Sequence, residues 1–176
     1  MIGGNIQMSK IYFISDLHFS HNNIIRHCNR PYKNVEEMNN DIIKKWNSVV
    51  TGNDTVWVLG DIGLGKKEDI KKLLLQLKGH KKLIMGNHDR WSPRTYYECG
   101  FEFVSQYPVL LKGHFLLSHA PIMDSGPFYN IYGHVHDNPE FQTETERSRC
   151  VCVERQDYSP IRLPVFDSYV EVKDDY

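Results

Sequence analysis

The stretch KKLIMGNHDR, residues 81–90, places a hydrophobic strand directly before a run of polar side chains. Residues 81–85 are predicted to form a buried strand, and Gly86-Asn87-His88-Asp89 follows at once. Because glycine, asparagine and aspartate are common in turns, this tetrapeptide taken alone indicates a turn. Its significance depends on whether other predicted strands end in the same way.

Two more apolar runs, residues 10–15 and 55–59, predict buried strands, and two amphipathic helices separate the three strands. Asn34 is a predicted N-cap, with Glu37 at the position that answers it. The apolar stripes are Val35, Met38, Ile42, Trp46 and Val49 in the first helix and Ile70, Leu73, Leu74 and Leu77 in the second. Gly79 is predicted to end the second helix. Alternating strands and helices predict right-handed crossovers and a parallel sheet.

The pattern becomes rich in strands after about residue 100. Residues 109–111 and 114–117 flank Lys112-Gly113 and predict a hairpin, and residues 130–132 predict another strand. Edge strands are expected around Val151, Val153, Ile161 and Leu163, and an exposed loop over residues 137–149. We therefore expect an α/β fold of two sheets packed face to face with helices outside, in one domain over residues 1–176.

Composition narrows the class of protein. The chain has 176 residues, is 40% hydrophobic and carries 21 basic against 22 acidic residues, so its net charge is −1. Such a balance argues against a surface that coats nucleic acid or membrane. Hydrophobic runs fall well short of the ~20 residues that span a bilayer.

Residues 1–7 lack the features of a secretory signal, and Met8 is a candidate original start, with residues 1–8 an extension or a cloning remnant. The four cysteines, Cys28, Cys99, Cys150 and Cys152, show no CxxC spacing and indicate reduced thiols. The sequence therefore predicts a soluble cytoplasmic protein.

The other predicted strands do end in polar residues. Their ends carry Asp16 and His18, Asp61, Asn87 and His88, His119, and His134 and His136. A lone histidine is more often a core residue than a ligand. Five of the nine histidines lie at strand ends, however, and ligands of α/β sheets bind at that edge.

The side chains at these ends offer carboxylate oxygens, imidazole nitrogens and one amide oxygen. In an extended Asp-x-His or His-x-His pair the two side chains point to the same side and can reach one metal cluster. A donor set without thiolate favours Mn, Fe, Co, Ni or Zn over Mg or Ca. It also argues against a structural zinc site, since these favour thiolates.

The ordered motifs D-x-H, G-D, G-N-H-D, H and G-H-x-H resemble those of the calcineurin-like metallophosphoesterases over residues 10 to about 165. The segment after the first motif is similar to that of small bacterial and phage members. This resemblance implies a four-layer αββα fold, two mixed sheets flanked by helices, with two divalent metal ions at the sheet edge, Mn first among the candidates. The isoleucine after Asp61 departs from the aromatic residue common in relatives and bears on pocket shape.

The resemblance also assigns roles. Asp16, His18 and His136 are expected to bind the first metal, Asn87, His119 and His134 the second, and Asp61 both. A bridging hydroxide is then expected to attack the phosphoryl group, with Asp61 and His88 as catalytic residues. His88 is the candidate proton donor to the leaving group. Asp89 or Asp16 is expected to orient the His88 ring.

Residues 20–32 are a candidate phosphate-binding segment. The candidate substrate-binding residues are Asn22, Asn23, Arg26, Arg30 and Arg90. The alternative is a short helix with Ile24, Ile25 and Cys28 buried and its arginines solvated.

The leading hypothesis is a metal-dependent phosphodiesterase or phosphatase acting on a small phosphorylated substrate rather than long nucleic acid, with nucleotide-like compounds among the candidates. A nuclease is the alternative within enzymes, although the charge balance argues against it. A metal-binding scaffold without activity is the alternative from another class.

Overall fold

The computed structural model describes residues 9–141 and 144–174, and the side chains of those up to residue 170. The strands are β1 Ile11–Ile14, β2 Thr55–Val58, β3 His80–Ile84, β4 Phe101–Ser105, β5 Val109–Leu111, β6 Phe115–Leu117, β7 Tyr129–Tyr132 and β8 Ser148–Cys150. The helices are α1 Asn22–His27, α2 Val35–Val49, α3 Lys67–Leu74, α4 Pro93–Glu98 and α5 Pro164–Asp174, with a 3-10 helix at Val153–Gln156.

Strands β1 to β4 form one sheet in chain order with every neighbouring pair parallel. Strands β5 to β8 form a second sheet, in which β5 and β6 are antiparallel and the remaining pairs parallel. The predicted α/β class, with two sheets and flanking helices, is confirmed. Strand β4 was not predicted.

Alternation along the strands of the first sheet separates two hydrophobic clusters. Ile14 and Val58 belong to the cluster under α2 and α3, whereas Phe13 and Trp57 belong to the cluster shared with the second sheet. Successive strand residues point to opposite faces, so both faces of the first sheet are buried. Phe166 of α5 joins the inter-sheet cluster.

Helix α2 begins as predicted. The Glu37 N–H donates to the Asn34 side chain at 2.9 Å, and Met38, Ile42 and Trp46 are buried. Helix α3 ends at Leu74, so the prediction that Gly79 ends it is wrong.

Gly79 instead marks a close approach before β3, with φ of +87°. A Cβ there would lie 2.8 Å from both the Asp54 carbonyl oxygen and Val50. Only glycine fits this contact without a shift of its neighbours.

The second half of the chain differs more from prediction. The hairpin is confirmed, with positive φ at Lys112 and Gly113. The strands expected around Val151 and Val153 are displaced, since β8 ends at Cys150 and Val153 begins a 3-10 helix. Helix α5 was missed, although Pro164 at its first position is a common helix start.

Candidate metal centre

The carboxyl ends of strands from both sheets meet at one edge of the molecule. In the first sheet, the Asp16 N–H donates to the Gly60 carbonyl oxygen at 3.0 Å. In the second, the Gly133 N–H donates to the His119 carbonyl oxygen at 2.8 Å. The His134 N–H donates to Oδ2 of Asp16 at 2.8 Å and so joins the two sheets. Parallel register therefore delivers the predicted ligands to one place.

Five of the predicted ligands have a left-handed backbone. Their φ angles are 61° at Asp16, 51° at His18, 56° at Asp61, 72° at His134 and 50° at His136. The extended geometry expected for the Asp-x-His and His-x-His pairs is therefore wrong, and the side chains converge from tight turns. Such conformations cost about 1–3 kcal/mol each in non-glycine residues and cluster at functional sites.

A first group of donors consists of Asp16, His18 and His136. Oδ1 of Asp16 lies 3.8 Å from Nε2 of His18 and 3.6 Å from Nε2 of His136. Oδ1 of Asp16 and Nε2 of His18 are both buried without a hydrogen-bond partner. Buried polar atoms without a partner are rare and unfavourable, so this pair fits a bound cation.

A second group surrounds His119. Its Nε2 atom lies 2.9 Å from Oδ1 of Asn87, 3.1 Å from Nδ1 of His134 and 3.6 Å from Oδ2 of Asp61. Atoms that share one ion at ~2.0–2.2 Å are about 3–3.5 Å apart, so the spacing suits a shared ion. Oδ2 of Asp61 is also 3.5 Å from Nε2 of His18, which places it between the two groups.

The ionisation of these groups is shifted by their surroundings. Burial lowers the pKa of His18 far below its ordinary value and also lowers the pKa of His134. Burial raises the pKa of Asp61, which the His119 ring opposes and the Asp16 carboxylate reinforces. Neutral imidazoles keep a lone pair for a metal, and a divalent ion would offset the crowding of carboxylates.

Three of the predicted ligand histidines are oriented through their second ring nitrogen. Nδ1 of His119 lies 2.7 Å from the Leu59 carbonyl oxygen, and Nδ1 of His18 lies 3.2 Å from Nδ1 of His21. Nδ1 of His136 lies 2.9 Å from Oε1 of Glu154. Such partners fix the ring and leave the other nitrogen for a metal.

Glu154 was not predicted, and it changes the ionisation of His136. Burial lowers the pKa of His136, but hydrogen bonds to Cys28 and Glu154 outweigh this and raise the pKa to about 11. A metal at Nε2 would therefore displace a proton from this ring.

Arg30 is placed differently from its predicted role. Its guanidinium is buried, and Nε and Nη2 donate to Oε1 of Glu154 at 2.9 and 2.7 Å. Nη1 donates to the Leu17 carbonyl oxygen at 3.0 Å and Nη2 to that of Asp16 at 2.8 Å. Arg30 thus holds the backbone of the first motif instead of facing the cleft.

Asp89 also differs from expectation. Its Oδ2 accepts the N–H groups of Asp61 and Gly86, both at 2.8 Å, and Oδ1 accepts the N–H of Ile62 at 3.0 Å and the hydroxyl of Tyr96 at 3.2 Å. The carboxylate therefore fixes the backbone of the bridging candidate Asp61, and the expectation that it orients the His88 ring is wrong.

Gly86 lies against the Asp61 side chain, and a Cβ at this position would collide with Oδ1 of Asp61. The predicted turn is present, since the Asp89 N–H donates to the Gly86 carbonyl oxygen at 3.2 Å. Glycine is required at position 86 by the close approach to Asp61.

His88 lies at the rim of the site. Its N–H donates to Oδ1 of Asp61 at 2.9 Å, and its half-buried ring lies 5.4 Å from the ring of His18, centroid to centroid. His21, which was not predicted to be a site residue, lies 6.3 Å from His88 by the same measure. Its position three residues after His18, before a helix, was the available signal.

The remaining candidates are exposed. Residues 22–27 form α1, in which Ile24 is buried and Asn22, Asn23 and Arg26 are exposed. The helical alternative therefore holds in part, since Ile25 and Cys28 are only half-buried and Arg30 is buried. Arg90 is also exposed. The four cysteines are free thiols.

The fold and site define a two-sheet α/β protein with groups able to bind metal at the carboxyl edge of its strands. The family model for calcineurin-like phosphoesterases matches residues 9–161. The chain belongs to this family of metal-dependent proteins.

Relatives span archaea, bacteria and phage. An uncharacterized protein of Methanocaldococcus jannaschii is 39% identical over 179 residues, covering 94% of each chain. The Gene 66 protein of Mycobacterium phage L5 is 44% identical over 85 residues, covering 47% of this chain and 41% of the phage protein. The crystal structure of a protein of unknown function from Aquifex aeolicus matches with a TM-score of 0.68 and 29% identity, covering 90% of this chain and 98% of that one. Among the helices that the structure describes, none is long and apolar enough to cross a bilayer.

Proposed function

We propose that the chain is a metal-dependent phosphoric ester hydrolase that cleaves phosphodiester or phosphomonoester bonds of small substrates. The observation that carries this proposal is the pair of buried, unpartnered donor atoms, Oδ1 of Asp16 and Nε2 of His18, beside the shared carboxylate of Asp61. Membership of a phosphoesterase family gives the reaction class its prior support.

The donor groups divide between two ions in the proposed holoenzyme. Asp16, His18 and His136 hold one, Asn87, His119 and His134 the other, and Asp61 lies between them. Two divalent transition-metal ions, with Mn first among Mn, Fe, Co, Ni and Zn, would activate water and neutralise the charge of the phosphoryl group. The protein fixes the positions of these donors. Glu154 orients the His136 ring, the Leu59 carbonyl oxygen orients the His119 ring, and Asp89 holds the backbone of Asp61.

His88 holds the proton that the leaving group needs. Its ring lies beside His18 and is half-buried, so it borders the metal site and is reachable by substrate. An imidazole can carry and release a proton near neutral pH. We place this proton transfer at the ester oxygen of the departing alcohol, because a free alkoxide is a poor leaving group.

Small substrates fit the charge distribution better than long nucleic acid. The net charge is −1, and Arg30 is engaged by Glu154 inside the protein. A nucleic-acid backbone is bound mainly by exposed Lys and Arg along a groove. Cleavage of DNA without cleavage of small esters is the outcome that would favour a nuclease.

The test begins with protein stripped by a chelator and reloaded with Mn, Ni or Mg. Bis-p-nitrophenyl phosphate, p-nitrophenyl phosphate, 2′,3′-cyclic AMP and single-stranded DNA are offered to each form. We expect hydrolysis of at least one small ester only after reloading, and its loss in Asp61→Asn. His80→Ala is the matched control, since His80 is an exposed histidine at the opposite end of β3. Two tightly bound ions without turnover of any substrate would indicate a scaffold instead.

A further inference from the structure

A cleft of about 800 Å³ opens beside the metal centre, with His134 and His136 in its wall. The apolar side chains that line it are Ala120, Pro121, Met123, Val135, Pro139 and Phe141. Its size is within the ~300–1,000 Å³ typical of sites for small organic ligands. The same wall therefore joins the donor atoms to a surface suited to an organic group.

The charge of the lining gives little support to a second anion. Among the described residues of this wall there is no lysine or arginine, and Asp137 contributes a carboxylate. A polyphosphate or a second phosphodiester would meet this carboxylate. The lining residues that can carry positive charge are histidines, His27, His134 and His136, and the last two are predicted metal ligands. An uncharged group therefore suits this cleft better than a second anion does.

Two large apolar side chains at the rim of the cleft are exposed to solvent. Met123 is 85% exposed and Phe141 is 48% exposed, which leaves apolar area that a ligand can remove from water. Methionine adapts to irregular shapes and makes favourable contacts with aromatic rings, so it suits a planar partner.

Hydrogen bonds hold both walls in place. Nε of Arg155 donates to the His136 carbonyl oxygen at 2.6 Å, and Nη2 donates to that of Phe141 at 3.3 Å. On the other side, the Ile122 N–H donates to Oδ1 of the buried Asn130 at 2.9 Å. A cleft shaped before binding loses less entropy when it is filled.

We propose that this cleft binds an uncharged aromatic group of the substrate, so that the preferred substrates are phosphoesters carrying an aromatic ring next to the phosphate. The inference rests on the proposed function, because the phosphate would be held at the metal centre while the ring lies against Met123 and Phe141.

Binding of stable analogues tests this without turnover. Phenylphosphonate, adenosine 5′-methylenephosphonate and methylphosphonate are titrated into Mn-loaded protein by calorimetry. We expect at least one aromatic ligand to bind about 10–100-fold more tightly than methylphosphonate, the range for burying one aromatic group. The phenyl and adenosine ligands distinguish a simple aryl group from a nucleobase.

Variants locate the effect. Phe141→Ala and Met123→Ala should each weaken the aromatic ligand about 3–30-fold and leave methylphosphonate unchanged. Tyr107→Ala is the control, because Tyr107 is 75% exposed and lies outside the cleft. Equal binding of aromatic and methyl ligands, or an equal effect of Tyr107→Ala, would overturn the proposal while sparing the metal centre.

Two other outcomes are separable. If no phosphonate binds and no small ester is hydrolysed, the proposed function itself fails. If sedimentation shows a dimer that both Phe141→Ala and Met123→Ala dissociate, the cleft is an interface between two copies, which also overturns the proposal.

Discussion

Oε1 of Glu154 lies 2.9 Å from Nδ1 of His136 and accepts two N–H groups of Arg30. Arg30 also donates to the carbonyl oxygens of Asp16 and Leu17. One buried ion pair therefore connects the first motif with the His-x-His motif, two stretches that carry predicted ligands of the same ion. The burial of Glu154 raises its pKa, but the hydrogen bond from His136 and the charge of Arg30 outweigh this and keep the pKa below its usual value.

Glu154→Gln should weaken the first metal. The amide keeps the shape of the side chain but removes the charge that orients His136, and loss of such a partner typically costs 10–100-fold in metal affinity. Competition with a calibrated chelator measures the effect. Glu102→Gln, a change at an exposed residue paired with His80, should leave metal affinity unaltered. If the unchanged protein, Glu154→Gln and Glu102→Gln all bind metal with equal affinity, Glu154 does not support the metal site.

Arg30→Ala should act on stability as well as on metal binding. Removing Arg30 leaves the buried Glu154 carboxylate with His136 as its remaining charged partner, and breaking a buried pair costs about 3–5 kcal/mol. Arg26→Ala, at an exposed position of α1, should change the free energy of unfolding by less than about 0.5 kcal/mol. Urea denaturation of metal-free protein gives both numbers.

Kinetic measurements on Arg26→Ala and Arg30→Ala distinguish substrate binding from a structural role, which the sequence alone could not do. If Arg26 contacts the phosphate, Arg26→Ala should raise KM with metal content unchanged. A stable Arg30→Ala protein with normal metal content and raised KM would instead restore the substrate role first expected for Arg30.

His88→Asn should leave both metals bound and slow turnover by ~10²–10⁴-fold, because His88 is the proposed proton donor and not a predicted metal ligand. Esters of alkyl alcohols should suffer most and esters of p-nitrophenol least, since p-nitrophenolate leaves without a proton. Asn87→Ala should instead lower metal content and slow all substrates alike. Uniform slowing by His88→Asn across leaving groups would mean that His88 holds the phosphoryl oxygens.

Asp54, which lies away from the metal centre, leads to a prediction about how the stability of the protein depends on pH. Its carboxylate accepts the N–H of Lys10 at 2.8 Å and the N–H and hydroxyl of Thr51, both at 2.7 Å. Burial raises the pKa of Asp54, but the hydrogen bonds outweigh it and the net shift is downward.

Because the folded pKa is lower than the unfolded one, stabilisation by Asp54 is complete above about pH 4 and is lost as pH falls through the folded pKa. Asp54→Asn should therefore lower the free energy of unfolding by about 1–3 kcal/mol at pH 7 and by less at pH 3. Denaturation by urea at both pH values measures the difference. A gap that widens at low pH would contradict this assignment.

The sequence predicted best what depends on neighbours along the chain. The Asn34 cap, the stripe of α2 and the polar ends of the strands are local patterns, and the sheets bring those ends together by parallel register. The roles of Glu154 and Arg30 depend on a contact across 124 residues, which local periodicity cannot reveal. The role of Asp89 as an acceptor of backbone N–H groups could not be predicted for the same reason, because its partners Asp61 and Ile62 follow a different strand.

The backbone at several predicted ligand positions has a left-handed conformation, which is unfavourable for residues other than glycine. Glycine adopts such φ angles without steric penalty, whereas Asp16, His18 and His134 do not. At exposed His134, a change to glycine would relieve strain and forfeit little packing. In a descendant protein that no longer needed the proposed reaction, selection for a stable fold would therefore favour replacement of such a residue by glycine. The candidate metal site would then be lost as its turns acquired glycine, while the two sheets remained unchanged.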